Sequence, residues 1–437
     1  MSTTQADMEL FDAELEHVVL RPRSWKLPIA LTFFTLVAAA GFCLTTPVDT
    51  ISKVAIVTGN RWLGTLTMNL PSFISILVLT IAMACLAGFT WWITSARIYN
   101  LGKIRLASLI GILFGTFFVL SFLLWAVAGK TGALQFTSLL SGALFLSIPL
   151  IFGAMAGTVC ERVGVINVSI EGQLLAGAFL AAVVGALTKN PWLGLLAAPV
   201  AGALVGCLLA LFAVRYWVDH IIVGIVLNVL VGGLTSYLFS TVLTRNQDVF
   251  SMAVKLPTWK IPILSEIPVL GPVLFAQNAL VYIMYVVVIA LQIMLFKSKW
   301  GLRLRSCGEH PRAADTVGIK VNRTRVINTI LGGAIAGLGG AYFTVANGLA
   351  FGKNASDGRG FIALAAMILG GWKPKGALVA ALLFGFADNL QMSLSAMAVD
   401  VPSQFLGMVP YLITIFAVAG LVGRVHPPAM EGKPYKG

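Results

Sequence analysis

Apolar runs long enough to cross a bilayer recur along almost the whole chain, at about residues 27–44, 70–92, 105–127, 138–159, 172–187, 192–215, 220–243, 277–296, 326–349, 360–372, 375–395 and 403–423. A hydrocarbon core about 30 Å thick needs roughly 20 apolar residues of helix to span it. Inside that core every backbone N–H and C=O must be paired within the protein, and a run that pairs its own groups is a helix. The expected fold class is therefore an all-α polytopic membrane protein with about 12 apolar segments and about 10–12 crossings, because 360–372 is short, glycine-rich and reads as a half-helix. With 58% hydrophobic and 11% charged residues, nothing is left over for a sizeable water-soluble domain. The 44 glycines fit the same picture, since small side chains let membrane helices approach closely.

Lysine and arginine exceed aspartate and glutamate by 30 − 17 = 13. Placed on alternating sides of successive spans, with the N-terminus inside, 21 basic residues fall inside and 9 outside. That is the sign the positive-inside rule requires, so both termini are expected in the cytoplasm. Topology accounts for the basic excess, and nucleic acid is not an expected partner. Five cysteines and four histidines are scattered without CxxC or HExxH spacing, so neither a disulfide framework nor a metal site is expected. The polar, acidic first twenty residues carry no cleavable-signal pattern, and the first span reads as its own anchor.

The densest basic stretch follows the eighth segment, with eight Lys or Arg from Lys297 to Arg325. Basic charge alone fits orientation and attraction to anionic headgroups. Within the stretch, GEHPRAADTVGI adds a second signal: Pro311 can begin a short helix and Gly318 can end it. Such a helix on the membrane surface would suit docking into a groove on a partner.

Between the fourth and fifth segments, CERVGVINVSIEGQLLAG interrupts apolar sequence with Glu161, Arg162, Asn167, Ser169 and Glu171. Glycines and β-branched residues there disfavour helix, and backbone outside a helix is tolerated at membrane depth only inside protein or beside a cavity. An interrupted helix is expected. Asp388 lies thirteen residues beyond Lys375, about 20 Å along a helix at 1.5 Å per residue. With Asn389 it makes a polar band that can bind a solute, cap a broken helix or join two helices. Asn228, alone in the seventh segment, has the same three options. No phosphate-cradling loop, nucleophile elbow or catalytic carboxylate pair is present, so the chain is not expected to be an enzyme.

ERVGVINVSIEGQLLAGAFLAAVVG, DHIIVGIVLNVLVGGLTSYL, GLRLRSCGEHPRAADTVGI and GRGFIALAAMILGGWKPKGALVAALLFGFADNLQ together resemble the permease subunits of bacterial ABC importers in the branched-chain amino acid, ribose and simple-sugar group. Within that group the chain is most similar to nucleoside-type permeases. The resemblance implies a cytoplasmic N-terminal tail (1–26), an N-terminal transmembrane extension (27–130), a permease core (131–424) with a coupling loop at 297–325, and a cytoplasmic C-terminal tail (425–437). It implies a bacterial cytoplasmic membrane and four kinds of partner: a second permease subunit in a heterodimer, a cytoplasmic ATPase carrying ATP and Mg, an extracytoplasmic substrate-binding lipoprotein, and membrane lipid. Arg303, Arg305, Gly308, Glu309, Pro311, Arg312, Ala313, Ala314 and Gly318 would face the ATPase. Asn167, Ser169 and Glu171 become candidates for the substrate pathway, beside Asn228, Asp388 and Asn389. The chain itself would hold no cofactor and no metal. The expected function is passage of a small polar solute, a nucleoside or simple sugar; the alternative is a proton- or sodium-coupled carrier using Glu171 and Asp388.

Overall fold

A computed structural model describes residues 25–60, 64–96, 100–101, 104–130, 132–250, 254–397, 408 and 426–436. Among them, ten helices are long and apolar enough to cross a membrane, and an eleventh apolar helix, Arg359–Leu369, is too short. Of the expected twelfth segment, 403–423, only Met408 falls within the described residues, and the N-terminal tail to residue 24 lies outside them.

The chain divides into two compact units, 1–55 with 67–134, and 56–66 with 135–437. The first holds three long helices, α1 (Lys26–Ala38, continuing in wider turns to Cys43), α2 (Ser72–Ala96) and α3 (Leu106–Ala126). Their mutual packing is aromatic, with Phe42 against Phe118, Phe122 and Trp125. Two indole N–H groups buy cross-helix bonds, Trp91 to Thr32 Oγ1 at 3.0 Å and Trp125 to Thr45 Oγ1 at 2.8 Å. Two segments are extended, β1 (Ile51–Asn60) and β2 (Gly64–Pro71). β-Branched Ile51, Val54, Ile56, Val57 and Thr58 favour that state.

The second unit contains α4 (Phe136–Arg162), α5 (Ile170–Thr188), α6 (Pro191–Ala210, continuing to Arg215), α7 (His220–Leu238), α8 (Ala279–Lys297), α9 (Lys299–Glu309), α10 (Pro311–Thr316), α11 (Val321–Gly340), α12 (Arg359–Leu369) and α13 (Pro374–Ala396). Local chemistry sets several starts. Asn190 caps α6, Asp219 caps α7, Asn278 caps α8 and Ser298 caps α9, each accepting from a backbone N–H of the first turn. Helix α4 is the centre: its residues from Ser147 to Glu161 are all buried.

Helices α6 and α11 cross in near backbone contact. A Cβ on Gly337 would collide with the carbonyl of Ala198, and one on Gly202 with that of Gly333. In lipid, where apolar burial gives little drive for association, such close approach supplies the dispersion energy that holds helices together.

Candidate functional site

The polar interruption lies between two full-length helices rather than within one. Helix α4 ends at Arg162, α5 starts at Ile170, and the link 163–169 is non-helical. Gly164 turns the chain at φ +97°, where a side chain would be strained and a Cβ would press on the Arg325 guanidinium. The link then re-enters the core: Ile170, at the start of α5, packs on Gly153 and Gly157 of α4, nine and five residues before Arg162.

Three side chains close the link on itself. The Asn167 Nδ2 group donates to Gln173 Oε1 at 3.0 Å, the Ser169 hydroxyl donates to Asn167 Oδ1 at 2.8 Å, and Gln173 Nε2 donates to Ser169 Oγ at 3.0 Å. All three are fully buried. Asn228 of α7 clamps the start of α5 from the side: its Oδ1 accepts from Gly172 N at 2.8 Å and its Nδ2 donates to Val168 O at 2.9 Å. Glu171 is also buried and serves another helix. Its Oε1 accepts from Ser356 Oγ at 2.6 Å and Gly358 N at 2.8 Å, and its Oε2 from Gly360 N at 2.6 Å. Those donors form the N-terminus of α12, where a carboxylate answers both the unpaired N–H groups and the positive end of the helix dipole.

Asp388 and Asn389 sit on α13, half-buried. Asp388 faces Arg359, the first residue of α12, at 4.0 Å. Arg359 is thus half of a partly buried ion pair and also donates to Leu146 O of α4. Asn389 Nδ2 donates to Leu139 O of α4 at 2.7 Å, joining two helices. Of the six pathway candidates, Asn167, Ser169 and Glu171 are therefore buried in bonds, while Asn228, Asp388 and Asn389 keep open area.

At the other end of the unit, α9 and α10 form the basic arm. Helix α10 begins at Pro311, whose ring suits the first helical position, and Gly318 follows it at φ +83°, donating to Asp315 O. The nine residues assigned to the arm divide by face. Gly308, Pro311 and Ala314 are buried against the protein; Arg303, Arg312, Ala313 and Gly318 are exposed; Arg305 and Glu309 are half-buried. Arg305 lies over the Phe296 ring at 5.2 Å. Gly308 is obligatory where it stands, since a Cβ there would strike the Arg162 carbonyl.

A strap made of the C-terminal residues 426–436 binds this arm to the interruption. Met430 N donates to Gly308 O at 2.9 Å and Ala429 N to Glu309 Oε2 at 3.2 Å. Gly432 N donates to Gly164 O at 3.1 Å, and Arg325 Nη1 donates to Lys433 O at 2.8 Å. The Tyr435 hydroxyl donates to Asp315 Oδ2 of α10 at 3.0 Å. Beneath the strap, Trp372 Nε1 donates to Glu161 Oε2 at 2.6 Å and Arg162 Nε donates to Trp372 O at 3.0 Å. The Glu431 carboxyl hydrogen-bonds Glu161, and burial holds it above the ordinary carboxylate range, opposed by that bond and by Arg162. Sequence reasoning passed over Gln173, Ser356, Trp372 and the strap. Only Gln173 had a local signal, four residues after Ser169 and hence on the same helical face.

The second unit thus combines apolar helices, a stitched polar link and an exposed helical arm. The chain belongs to the family described as "Branched-chain amino acid transport system / permease component", which its residues 139–418 match. It is 39% identical over 308 residues to the guanosine ABC transporter permease protein NupQ of Bacillus subtilis (strain 168), covering 67% of this chain and 94% of that one. It is 37% identical over 306 residues to the nucleoside ABC transporter permease protein NupC of Lactococcus lactis subsp. cremoris (strain MG1363), covering 68% and 96%. A second Bacillus subtilis guanosine ABC transporter permease protein, NupP, is 30% identical over 287 residues, covering 63% and 80%. No solved structure matches the chain. The chain is thus a transport component of an ABC importer and not an enzyme.

Proposed function

We propose that this chain is the permease subunit of an ABC importer for nucleosides, lying in the cytoplasmic membrane of a bacterium with both termini inside. The names of the relatives support the solute, and two named permeases in Bacillus subtilis support a heterodimer with a second permease. The remaining partners are a cytoplasmic ATPase that carries ATP and Mg and an extracytoplasmic lipoprotein that delivers substrate.

The observation that carries the reading is the unbroken set of bonds from the exposed arm to the re-entrant link. Asp315 of α10 is tied to Tyr435, Gly308 to Met430, Gly164 to Gly432 and Arg325 to Lys433. A push on α10 by the ATPase therefore reaches the link through hydrogen bonds rather than through loose chain. The link in turn positions the start of α5, and Glu171 on it holds α12. Asn228, Asp388 and Asn389, which keep open area, are the groups we assign to contact with solute; Asn167, Ser169 and Glu171 hold the wall behind them. Such a device can bias inward- against outward-facing states only through contacts that differ between them. Glu171, one of the two carboxylates a gradient-coupled carrier would need, is already engaged by three donors, which supports the ABC reading.

The test is uptake of radiolabelled guanosine by the reconstituted complex. Glu309→Gln with Arg312→Gln should leave ATP hydrolysis running while uptake falls at least tenfold. Guanosine uptake driven by a proton gradient in vesicles lacking any ATPase would overturn the proposal.

A further inference from the structure

Beside the docking arm lies a groove of about 670 Å3 between α9, the turn after α10 and the start of α11. Four cations rim it, Lys299, Arg303, Lys320 and Arg323, and no acidic residue lines it. All four are exposed, and none makes an ion pair among the described residues. By contrast, Arg162 faces Glu309 and Arg359 faces Asp388. The groove gathers like charges that repel one another and leaves them without a counter-charge.

Its floor is apolar. Leu302 is 62% exposed, Val317 75% and Ile327 51%. A soluble surface does not present three large aliphatic side chains inside a ring of bare cations without something to cover them. The position of the groove says what that is. Lys299 stands two residues beyond the end of α8 and Lys320 one residue before α11, both of which are spans, so the cations lie at headgroup depth. From there Arg323, Ile327 and Leu331 follow one another at four-residue spacing on one exposed face of α11, a stripe that starts in the groove and continues about 12 Å into the span. Cations at the rim followed by an aliphatic track into the membrane match one molecule in both halves: a phosphate-bearing head and an acyl chain.

We infer that the groove is a binding site for an anionic phospholipid, its phosphate held by Lys299, Lys320 and Arg323 with its acyl chain along Ile327 and Leu331. The lipid would brace the arm at the point where α10 turns into α11, because Val317 and Gly318 of that turn line the same groove. This goes beyond the importer reading and does not need an ATPase to be present.

The experiment uses the purified full-length chain, delipidated and titrated with phosphatidylglycerol or phosphatidylcholine, with bound lipid counted by native mass spectrometry. Phosphatidylglycerol should be retained in preference to phosphatidylcholine. The triple variant Lys299→Gln, Lys320→Gln, Arg323→Gln should lose that preference, with affinity falling roughly fivefold for each cation removed. Equal retention by a folded variant, or no preference in the unmodified chain, would overturn the inference. Should the triple variant fail to fold, a photoactivatable phosphatidylglycerol added to the unmodified chain decides instead: cross-links on the peptides spanning 299–331 support the site, and cross-links confined to other spans reject it. In the assembled transporter, Val317→Cys cross-linking to the ATPase or to the second permease with lipid excluded would also reject it. Lipid retention is read on the isolated chain, so its failure leaves guanosine uptake by the complex untouched, and the reverse holds too.

Discussion

Replacing Glu171 by Gln separates a carboxylate that holds a helix from one that touches cargo. The substitution keeps the shape and one carbonyl oxygen, which can still accept from Ser356 Oγ and Gly358 N, now without charge. The other oxygen, which accepts from Gly360 N at 2.6 Å, becomes an NH2 group facing an N–H. A hydrogen bond to a charged group contributes about 1.5–3 kcal/mol, and a buried donor left unpaired costs about 1–3 kcal/mol. The lost interaction of the charge with the α12 N-terminus adds about 0.3–1 kcal/mol, up to about 2 in a partly buried setting. Losing one charged bond outright and weakening two therefore predicts destabilisation of about 3–4 kcal/mol. The assay is thermal or denaturant unfolding of the purified chain in detergent, beside guanosine uptake by the complex. Glu171→Asp, which keeps the charge but shortens the reach, should fall between the two. An unfolding midpoint unchanged in Glu171→Gln, with uptake lost, would refute the reasoning and return Glu171 to direct contact with solute or ion.

Gly337→Val should force α6 and α11 apart, because its side chain meets the Ala198 carbonyl; overpacking of this kind costs about 1–3 kcal/mol or more, and the variant should be poorly recovered from membranes. Gly352→Val, at a position with open space around it, is the control and should be recovered normally. The strap should also respond to pH. Glu431 has its carboxyl raised by burial, so the docked tail binds a proton more tightly than the free tail does; docking is favoured below the raised value and weakens as pH rises through it. A fluorine label on Lys436→Cys, followed by NMR, should report growing mobility with rising pH, and Glu431→Gln should remove that dependence.

The spans were legible because a run of about twenty apolar residues is a one-dimensional signal that needs no knowledge of what packs against it. The start of α10 at Pro311 and its end before Gly318 were legible for a similar reason, as each follows from the backbone freedom of one residue. Strands β1 and β2 were missed because they lie between apolar segments, where a span count assigns nothing. The polar residues were legible as costs but not as contacts. Low dielectric dictates that Glu171, Arg359 and Asp388 must each find a partner, yet their partners are set by helix packing: Glu171 bonds Gly360, 189 residues away. Glu171, a pathway candidate in sequence, is bonded in the structure to the N-terminal turn of α12. The strap was hidden for a different reason. It docks largely through its main chain, with N–H groups of Ala429, Met430 and Gly432 and the carbonyl of Lys433, and every residue but proline offers those groups alike. A short polar tail that binds by its backbone leaves in sequence only what the partner surface demands, which here is the absence of a side chain at Gly164 and a buried guanidinium at Arg325.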